Sequence, residues 1–504
     1  MGETSRMQRS LARGLGRAVV GAVLLFGVAA LLPLGGCGSD SGTTPDAGPD
    51  AGDAGSDGGA TWSAKVSIDS SLVVIDATQN SASELVAAVD PNGRPAIAYF
   101  QTRTDAGSYP LVVARELTDG AWTKETVPAA LDGGAVTGHY GLGLAFDAQG
   151  NPLVTYQGGQ TGADKGVHDD RWHNNTTGQR LPADTVLAKK SGGAWTRYTL
   201  AQLSNSWVTD NQAVDDQGEI VGLWSAVAVD NAGTVHVVQQ DAHFGVDATA
   251  YDEANLEYAS FTIAGASANK ASSEMTASHR VGPACTPGVP PCSSNGQLLV
   301  QGAGNYNRMV LAGGQPTVSF VSIPYGASPQ QVWFAQRKSA ATWSLVRVSA
   351  AQGAFGHTPA LVYSTTGAPG TGGPLFAIAY YDAGGNDLRL ATSATGAVFD
   401  DEPIETLGVT GLYPAAAFSG SKLGLFYAYC RSPIDNPASC NATTQELRFR
   451  SGPADATVLF GPDNYESVSP GMPDGTALVA DGQGRFVAIW RDPAGGIFAS
   501  RRTP

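Results

Sequence analysis

The feature that most constrains this chain is a repeated pair of apolar runs around a four-residue corner. Leu85–Val89 leads into Asp90-Pro91-Asn92-Gly93, and Pro95–Tyr99 follows. The unit returns at Leu142–Tyr156 around Asp147–Gly150, at Ala226–Val238 around Asp230–Gly233, and at Ala477–Trp490 around Asp481–Gly484. An Asp that opens the corner can accept bonds from the turn amides, and a Gly that closes it tolerates the left-handed backbone a tight hairpin needs. Degenerate copies without the Asp span Met309–Val321, Pro359–Tyr381 and Pro414–Tyr429. A third run follows each pair, at Leu111–Ala114, Val186–Ala188, Leu256–Ala259, Val332–Ala335, Leu388–Ala391, Leu447–Arg450 and Ile497–Ala499. A fourth often opens on Trp, as at Trp122–Val127, Trp195–Leu200 and Trp343–Val348, with weaker ones near Glu402–Leu407 and Thr457–Phe460.

Seven sets of three runs end at Pro504 without a seventh outer strand, while Trp62–Ile68 has the Trp-led pattern and no set before it. The spacing predicts an all-β fold, a single seven-bladed β-propeller of four-stranded antiparallel blades over residues 61–504, with Trp62–Ile68 closing the ring against the C-terminal strands. Blades would average about 63 residues, above the roughly 40–45 of a minimal blade, so the surplus lies in loops. Six or eight blades stay open, because the middle copies are worn. Composition agrees: 64 Gly and 29 Pro are too many for a helical protein, and 42% hydrophobic residues too many for a disordered one. With 45 acidic against 30 basic residues, the net charge of -15 argues against a nucleic-acid or anionic-lipid surface.

The turn before the outer strand carries a resemblance. Asp57-Gly58-Gly59-Ala60-Thr61-Trp62 resembles the Asp-box of bacterial sialidase-type repeats, Ser-x-Asp-Gly-Gly-x-Thr-Trp, with Gly55 in place of the Ser. Thr118–Trp122 and Ser191–Trp195 are shorter, degenerate forms. In that family the box is a structural turn away from the catalytic centre, so the resemblance implies the fold and not hydrolysis. Catalytic sialidases use an Arg trio, a Tyr nucleophile with a Glu, and an Asp acid, and usually carry an early Arg-Ile-Pro motif; no such motif is present here, nor a GxSxG or HExxH pattern. Arg103, Arg171, Arg308, Arg431 and Arg491 fall at long-loop positions, which leaves an Arg cluster open.

The first 36 residues read as a targeting segment: Arg6, Arg9, Arg13 and Arg17, then an uncharged apolar stretch from Ala18 to Leu34. Leu34-Gly35-Gly36-Cys37 resembles the lipobox of bacterial lipoprotein precursors, which implies cleavage before Cys37 and lipidation of its thiol. Without residues 1–36 the chain holds 26 basic and 44 acidic residues, a net of -18. Residues 37–60 form an Asp/Gly/Ala-rich tether with no side chain large enough to offset the entropy of ordering it. The expected location is the cell envelope, lipid-anchored; by the sorting rule of enteric bacteria, Gly38 rather than Asp after the Cys favours the outer membrane. The other four Cys fall in two close pairs, Cys285–Cys292 and Cys430–Cys440, expected to be disulfides in an exported protein. A four-thiolate zinc site lacks the usual spacing.

In this architecture the short Asp/Gly turns share one face, and the long connections share the other. The insertions 157–185, 239–255, 263–305 and 430–445 all fall on the long-loop face by this count, together with both Cys pairs. Long loops on a rigid scaffold are where binding resides most often. Residues at the starts of the first strands, Glu84, Tyr140, Trp224, Asn307, Thr358 and Tyr413, would line the channel mouth. Aromatic and polar groups there suit a carbohydrate or peptide, and equally a plain plug. Of seven His, only His236 falls inside a predicted strand. His139, His168, Asp170, His173, Asp241 and His243 are candidate ligands for a divalent metal, and Arg171 and Trp172 candidate ligand contacts, although His that simply follow polar loops are the plainer account. The expected function is that of a monomeric, membrane-anchored binding or scaffold module for a glycan, peptide or protein, with no cofactor required. The alternatives are a glycan-acting hydrolase or lyase and a metal-dependent enzyme at the His-rich loops.

Overall fold

The structure is a computed structural model that describes residues 61–70, 85–101, 110–118, 120–128, 141–158, 173–174, 179–180, 184–201, 220–242, 254–263, 272–277, 300, 302–322, 330–340, 342–349, 358–431, 434, 439–440, 444–461, 465–470, 475–492 and 495–503. Seven four-stranded antiparallel sheets make a seven-bladed propeller. The inner strands are Leu85–Val89, Leu142–Phe146, Ile220–Val229, Asn305–Ala312, Ala360–Ser364, Val409–Ser419 and Gly475–Ala480. Each packs against the inner strand of the next blade, and the seventh returns to the first. The second strands lie between neighbouring blades. Pro95–Phe100, Leu375–Asp382 and Phe486–Arg491 are buried along their whole length, which is why they read as continuous apolar runs. The outer strands Ala121–Val127 and Thr342–Arg347 are mostly exposed or half-buried.

The Asp corners work as the repeat predicts. Asp90 Oδ1 accepts from the Asn92 and Arg94 amides at 2.8 and 3.0 Å. Asp147, Asp230 and Asp481 make the same two bonds to the residues two and four positions on, at 2.8–3.1 Å. Burial alone would raise the Asp90 carboxyl, but the Arg94 and Asn92 bonds outweigh it and hold the group below the usual carboxylate range. The turns of blades one and seven also touch, Gly482 N donating to Gly93 O at 2.8 Å. Gly93 has φ +78°, and a Cβ there would overlap Gly482, so this closure needs Gly on both counts.

The ring closes as the Trp-led segment predicts. Val66–Asp69 is the outermost strand of blade seven, with Val66 opposite Ala499 and Asp69 opposite Ile497, and Trp62 bridges to Arg502. Trp62 Nε1 donates to Glu466 at 2.8 Å, and Arg502 pairs with the same carboxylate at 2.7 Å, which ties the closing strand to blade six. Asp69 ties its other end to blade one. Only 1% exposed, it accepts from Tyr99 Oη at 2.6 Å, Gln101 Nε2 at 3.0 Å and Lys124 Nζ at 2.8 Å. Glu405 plays the same part between blades five and six, accepting from Tyr427 Oη at 2.6 Å, from Arg450 at 2.8 Å and from Arg448.

Three sequence expectations need correction. The insertion 263–305 is not all long-loop: it contains the outer strand of blade three, Ser272–Ala277, which lacks a leading Trp. Thr457–Phe460 is not the outer strand of blade six. Asp455 caps a single helical turn there, Ala456–Leu459, by accepting from Thr457 N, and Glu466–Pro470 is the strand. His173 is not in a plain loop, since His173–Asn174 pairs with Gln179–Arg180.

Removing the Asp69 carboxylate leaves Tyr99, Gln101 and Lys124 without their common acceptor across the seam. Asp69→Ala is expected to cost about 3 kcal/mol, read as a lowered thermal midpoint. Tyr99→Phe in the same background should then add little, because the two groups share one bond.

Candidate functional site

The starts of the inner strands, at the face opposite the Asp corners, depart from regular sheet in one recurring way. In blade three Leu223 pairs with Gln240 and Ala226 with Val238, so Trp224 and Ser225 together oppose Gln239. In blade four Tyr306 and Asn307 lie in the shift between Asn305–Val321 and Arg308–Ser319. In blade six Tyr413 and Pro414 oppose Tyr427. Each is a β-bulge, two residues against one, and a bulge re-aims a side chain.

In each bulge the first residue is an aromatic in the left-handed region. Trp224, Tyr306 and Tyr413 have φ of 46°, 55° and 51°, and Gly222, Gly304 and Gly411, two positions earlier, are also at positive φ. For a bulky L-residue this backbone costs about 1–2 kcal/mol, and such strain collects where a site requires it. All three rings are half-buried. Trp224 and Tyr306 meet across the blade boundary with ring centroids 5.1 Å apart. The neighbouring backbone leaves no slack: Gly141 of blade two lies so close that a Cβ would overlap the Trp224 backbone. Gln239 fixes the blade-three bulge from behind, its Oε1 accepting from Gly222 N at 3.0 Å and from the Thr185 hydroxyl, its Nε2 donating to Glu257 at 3.2 Å. Thr476 of blade seven donates to the Tyr413 carbonyl.

The second bulge residues carry the other anomaly. Ser225 and Asn307 are each 1% exposed, yet the Ser225 hydroxyl and both amide atoms of Asn307 have no hydrogen-bond partner. A buried polar group left unpaired costs about 1–3 kcal/mol. Arg308 does not supply the bond, since its Nη1 donates to the Asn307 main-chain oxygen at 3.3 Å.

A second cluster lies on the same face, in the hairpin between the second and third strands of blade five. Asp382 and Asp387 are register partners. Burial raises both carboxyls above the usual range, and for Asp387 the charge of Asp382 adds to it. Arg389 opposes the shift in each. Between them Asn386 has φ 60°, and its Oδ1 accepts from Tyr381 Oη at 2.6 Å. Its carbonyl accepts from Thr410 N of blade six at 3.0 Å.

Of the sequence candidates, Trp224 and Tyr413 are the first residues of the bulges in their inner strands. Asn307 is the second residue of its bulge, and the aromatic of blade four is Tyr306, one residue earlier. Glu84, Tyr140, Arg171, Trp172, His139, His168, Asp170 and His243 lie outside the described residues, as do Cys37, Cys285 and Cys292. His173 and Asp241 are placed by backbone only, Asp241 opposite Asn255 in blade three. Among the described residues no group of three or more His, Cys, Asp or Glu could hold a metal ion. His236 is a core residue. Its Nδ1 meets Tyr258 Oη at 2.7 Å and its Nε2 lies 3.4 Å from Asp230, and burial pushes the imidazole down despite that carboxylate. Cys430 and Cys440 form the expected disulfide, with Cα atoms 5.8 Å apart, at the start of the long connection of blade six.

No protein-family model matches the chain, and no curated protein matches it. Several solved structures resemble it. A Hadza microbial sialidase is 12% identical at a TM-score of 0.42, covering 68% of this chain and 62% of that one. The GH93 α-L-arabinofuranosidase of Fusarium graminearum, solved with arabinobiose, is 9% identical at 0.42, with coverages of 87% and 97%. The leech intramolecular trans-sialidase is 10% identical at 0.38, with coverages of 87% and 68%. The chain thus spans 62% of the first sialidase's length. With these TM-scores below 0.5, the chemistry of this chain rests on its own residues.

The carboxylate pair yields a prediction with a definite sign. A raised carboxyl binds its proton more tightly in the fold than in the unfolded chain, so stability falls as pH rises from the ordinary carboxylate value through the raised one. Asp387→Asn is therefore expected to raise the thermal midpoint at pH 7 and to give no gain near pH 3, where wild-type Asp387 is protonated in both states.

Proposed function

We propose that the chain is an envelope-anchored propeller that holds a glycan at the bulged mouth. The supporting observation is the repeated strained aromatic: three blades independently place Trp or Tyr in a left-handed bulge at the start of the inner strand. A core that needed only filling would use unstrained side chains in regular sheet. Rigid, half-buried aromatic faces beside neutral polar groups suit sugar rings, whose C–H faces are apolar and whose edges are hydroxylated. The propeller supplies the rigidity on which such a site depends, since its short-turn face is locked by the Asp corners.

Anchoring through Cys37 belongs to the same reading. Thr61 bonds to Thr503, and Arg502 N donates to Phe486 O just past the Asp481 corner. Thr61 therefore lies at the short-turn end of the propeller, and the bulged strand starts lie at the other.

A second reading, hydrolysis of the bound glycan, draws on one observation. Asp382 and Asp387 are register partners on the mouth side, and burial raises both carboxyls, which suits a general acid. Release of reducing sugar from a bound oligosaccharide, lost in Asp387→Asn, would favour it; binding without turnover leaves the module a binder.

The binding reading is tested with the domain from residue 61 on a glycan array carrying arabinan, xylan, glucan, galactan and sialylated oligosaccharides. Trp224→Ala and Tyr413→Ala are each expected to weaken the best binder at least tenfold, about 1.4 kcal/mol. Retention of no glycan by the wild-type domain defeats the proposal. For the anchor, Cys37→Ser is expected to move the full chain from the membrane to the soluble fraction.

A further inference from the structure

The bulges of blades three and four differ from that of blade six in their second residue. Blade six has Pro414, which carries no side-chain hydrogen-bonding group. Blades three and four have Ser225 and Asn307, both buried and both orphaned. Their aromatic partners are the two that touch, Trp224 and Tyr306 at 5.1 Å. Strain and unpaired polar atoms thus coincide at one corner of the mouth, where adjacent inner strands pack together. Each defect alone destabilises the fold, and a bound group that used both would answer both.

We propose that this corner is a subsite for one uncharged sugar residue, in which Trp224 and Tyr306 present ring faces and the Ser225 hydroxyl and Asn307 amide read two of its hydroxyls. The inference rests on the glycan reading above and narrows it. An amide gives one bond and takes another, as a hydroxyl does, so the two match sugar hydroxyls in both directions. A carboxylate could only accept, and would leave Asn307 Oδ1 facing a second acceptor. This turns the subsite against acidic sugars such as sialic acid.

The test pairs a ligand-free readout with a binding one. Asn307→Leu removes the orphaned amide at similar volume, and Ser225→Ala removes the orphaned hydroxyl with the least disturbance. Both are expected to raise the thermal midpoint of the free domain, the reverse of what removing a structural group does. Binding is measured by calorimetry against arabino-, xylo-, gluco- and galacto-oligosaccharides, with 3′-sialyllactose as the charged probe. The expected result is at least one neutral oligosaccharide bound, a tenfold or greater loss in Asn307→Leu, a smaller loss in Ser225→Ala, and no binding of 3′-sialyllactose. A lowered midpoint in both variants with affinity unchanged overturns the subsite and assigns the two residues to ordered channel water. Preference for 3′-sialyllactose overturns the neutral class. A neutral probe held equally by wild type and both variants sinks the subsite alone, whereas no probe held by the wild-type domain sinks the glycan reading and the subsite with it.

Discussion

The working face depends on the pairing of Val66–Asp69 with Ile497–Arg501. A ring of blades has no covalent closure, and without this strand blade seven would present an open edge and the inner strands would be free to spread. The pairing joins residues more than four hundred positions apart, so it fixes little local structure and a great deal of global geometry. Its two ends are anchored differently. Trp62 and Arg502 converge on Glu466 at the short-turn end, and Asp69 collects Tyr99, Gln101 and Lys124 at the other. Spacing between inner strands, and with it the distance between bulges, is set by that closure.

The carboxylates divide the labour by face. At the short-turn face they are held by several donors each: Asp481 by its own turn amides and by Arg485 and Arg501, and Glu116 by Arg501 across the blade seven to blade one boundary. On the mouth side, burial raises the Asp382 and Asp387 carboxyls, and the charge of Arg389 opposes the shift. The short-turn face is held by Asp corners and ion pairs, while the mouth side carries the strained aromatics, the orphaned Ser225 and Asn307 atoms and a carboxyl pair raised by burial. Stability in one part of a fold tolerates the cost of a site in another.

Much of the scaffold was legible in the sequence because it is written locally. An Asp whose oxygen reaches the amides two and four residues on, with Gly at the last corner, needs no tertiary context, and so the four hairpins could be read directly. The closing strand was legible through a Trp that packs on the next blade, Trp62 against Phe449. The outer strand of blade three was not, because Ser272–Ala277 carries no such Trp and only the register with Leu256–Ser260 defines it. Thr457–Phe460 misled because its apolar run is short enough for either state, and the deciding signal was the cap at Asp455 rather than the hydrophobicity.

The mouth was half legible for the same reason in reverse. Regular alternation carries Trp224 and Tyr413 to the strand starts but names Asn307 in blade four, since it assumes one residue per register step. A bulge inserts one residue without changing the apolar pattern that follows, so Met309 still pairs with Val318 and the slip stays silent downstream. The available signal was Gly-x-aromatic: Gly222-Leu223-Trp224, Gly304-Asn305-Tyr306 and Gly411-Leu412-Tyr413 share it, and the Gly and the aromatic of each are at positive φ. A left-handed Gly followed by a left-handed aromatic has no use in a uniform strand. Its recurrence in three blades, in two of them beside the unpaired Ser225 hydroxyl and Asn307 amide, marks these strand starts as the place where the same backbone device is repeated.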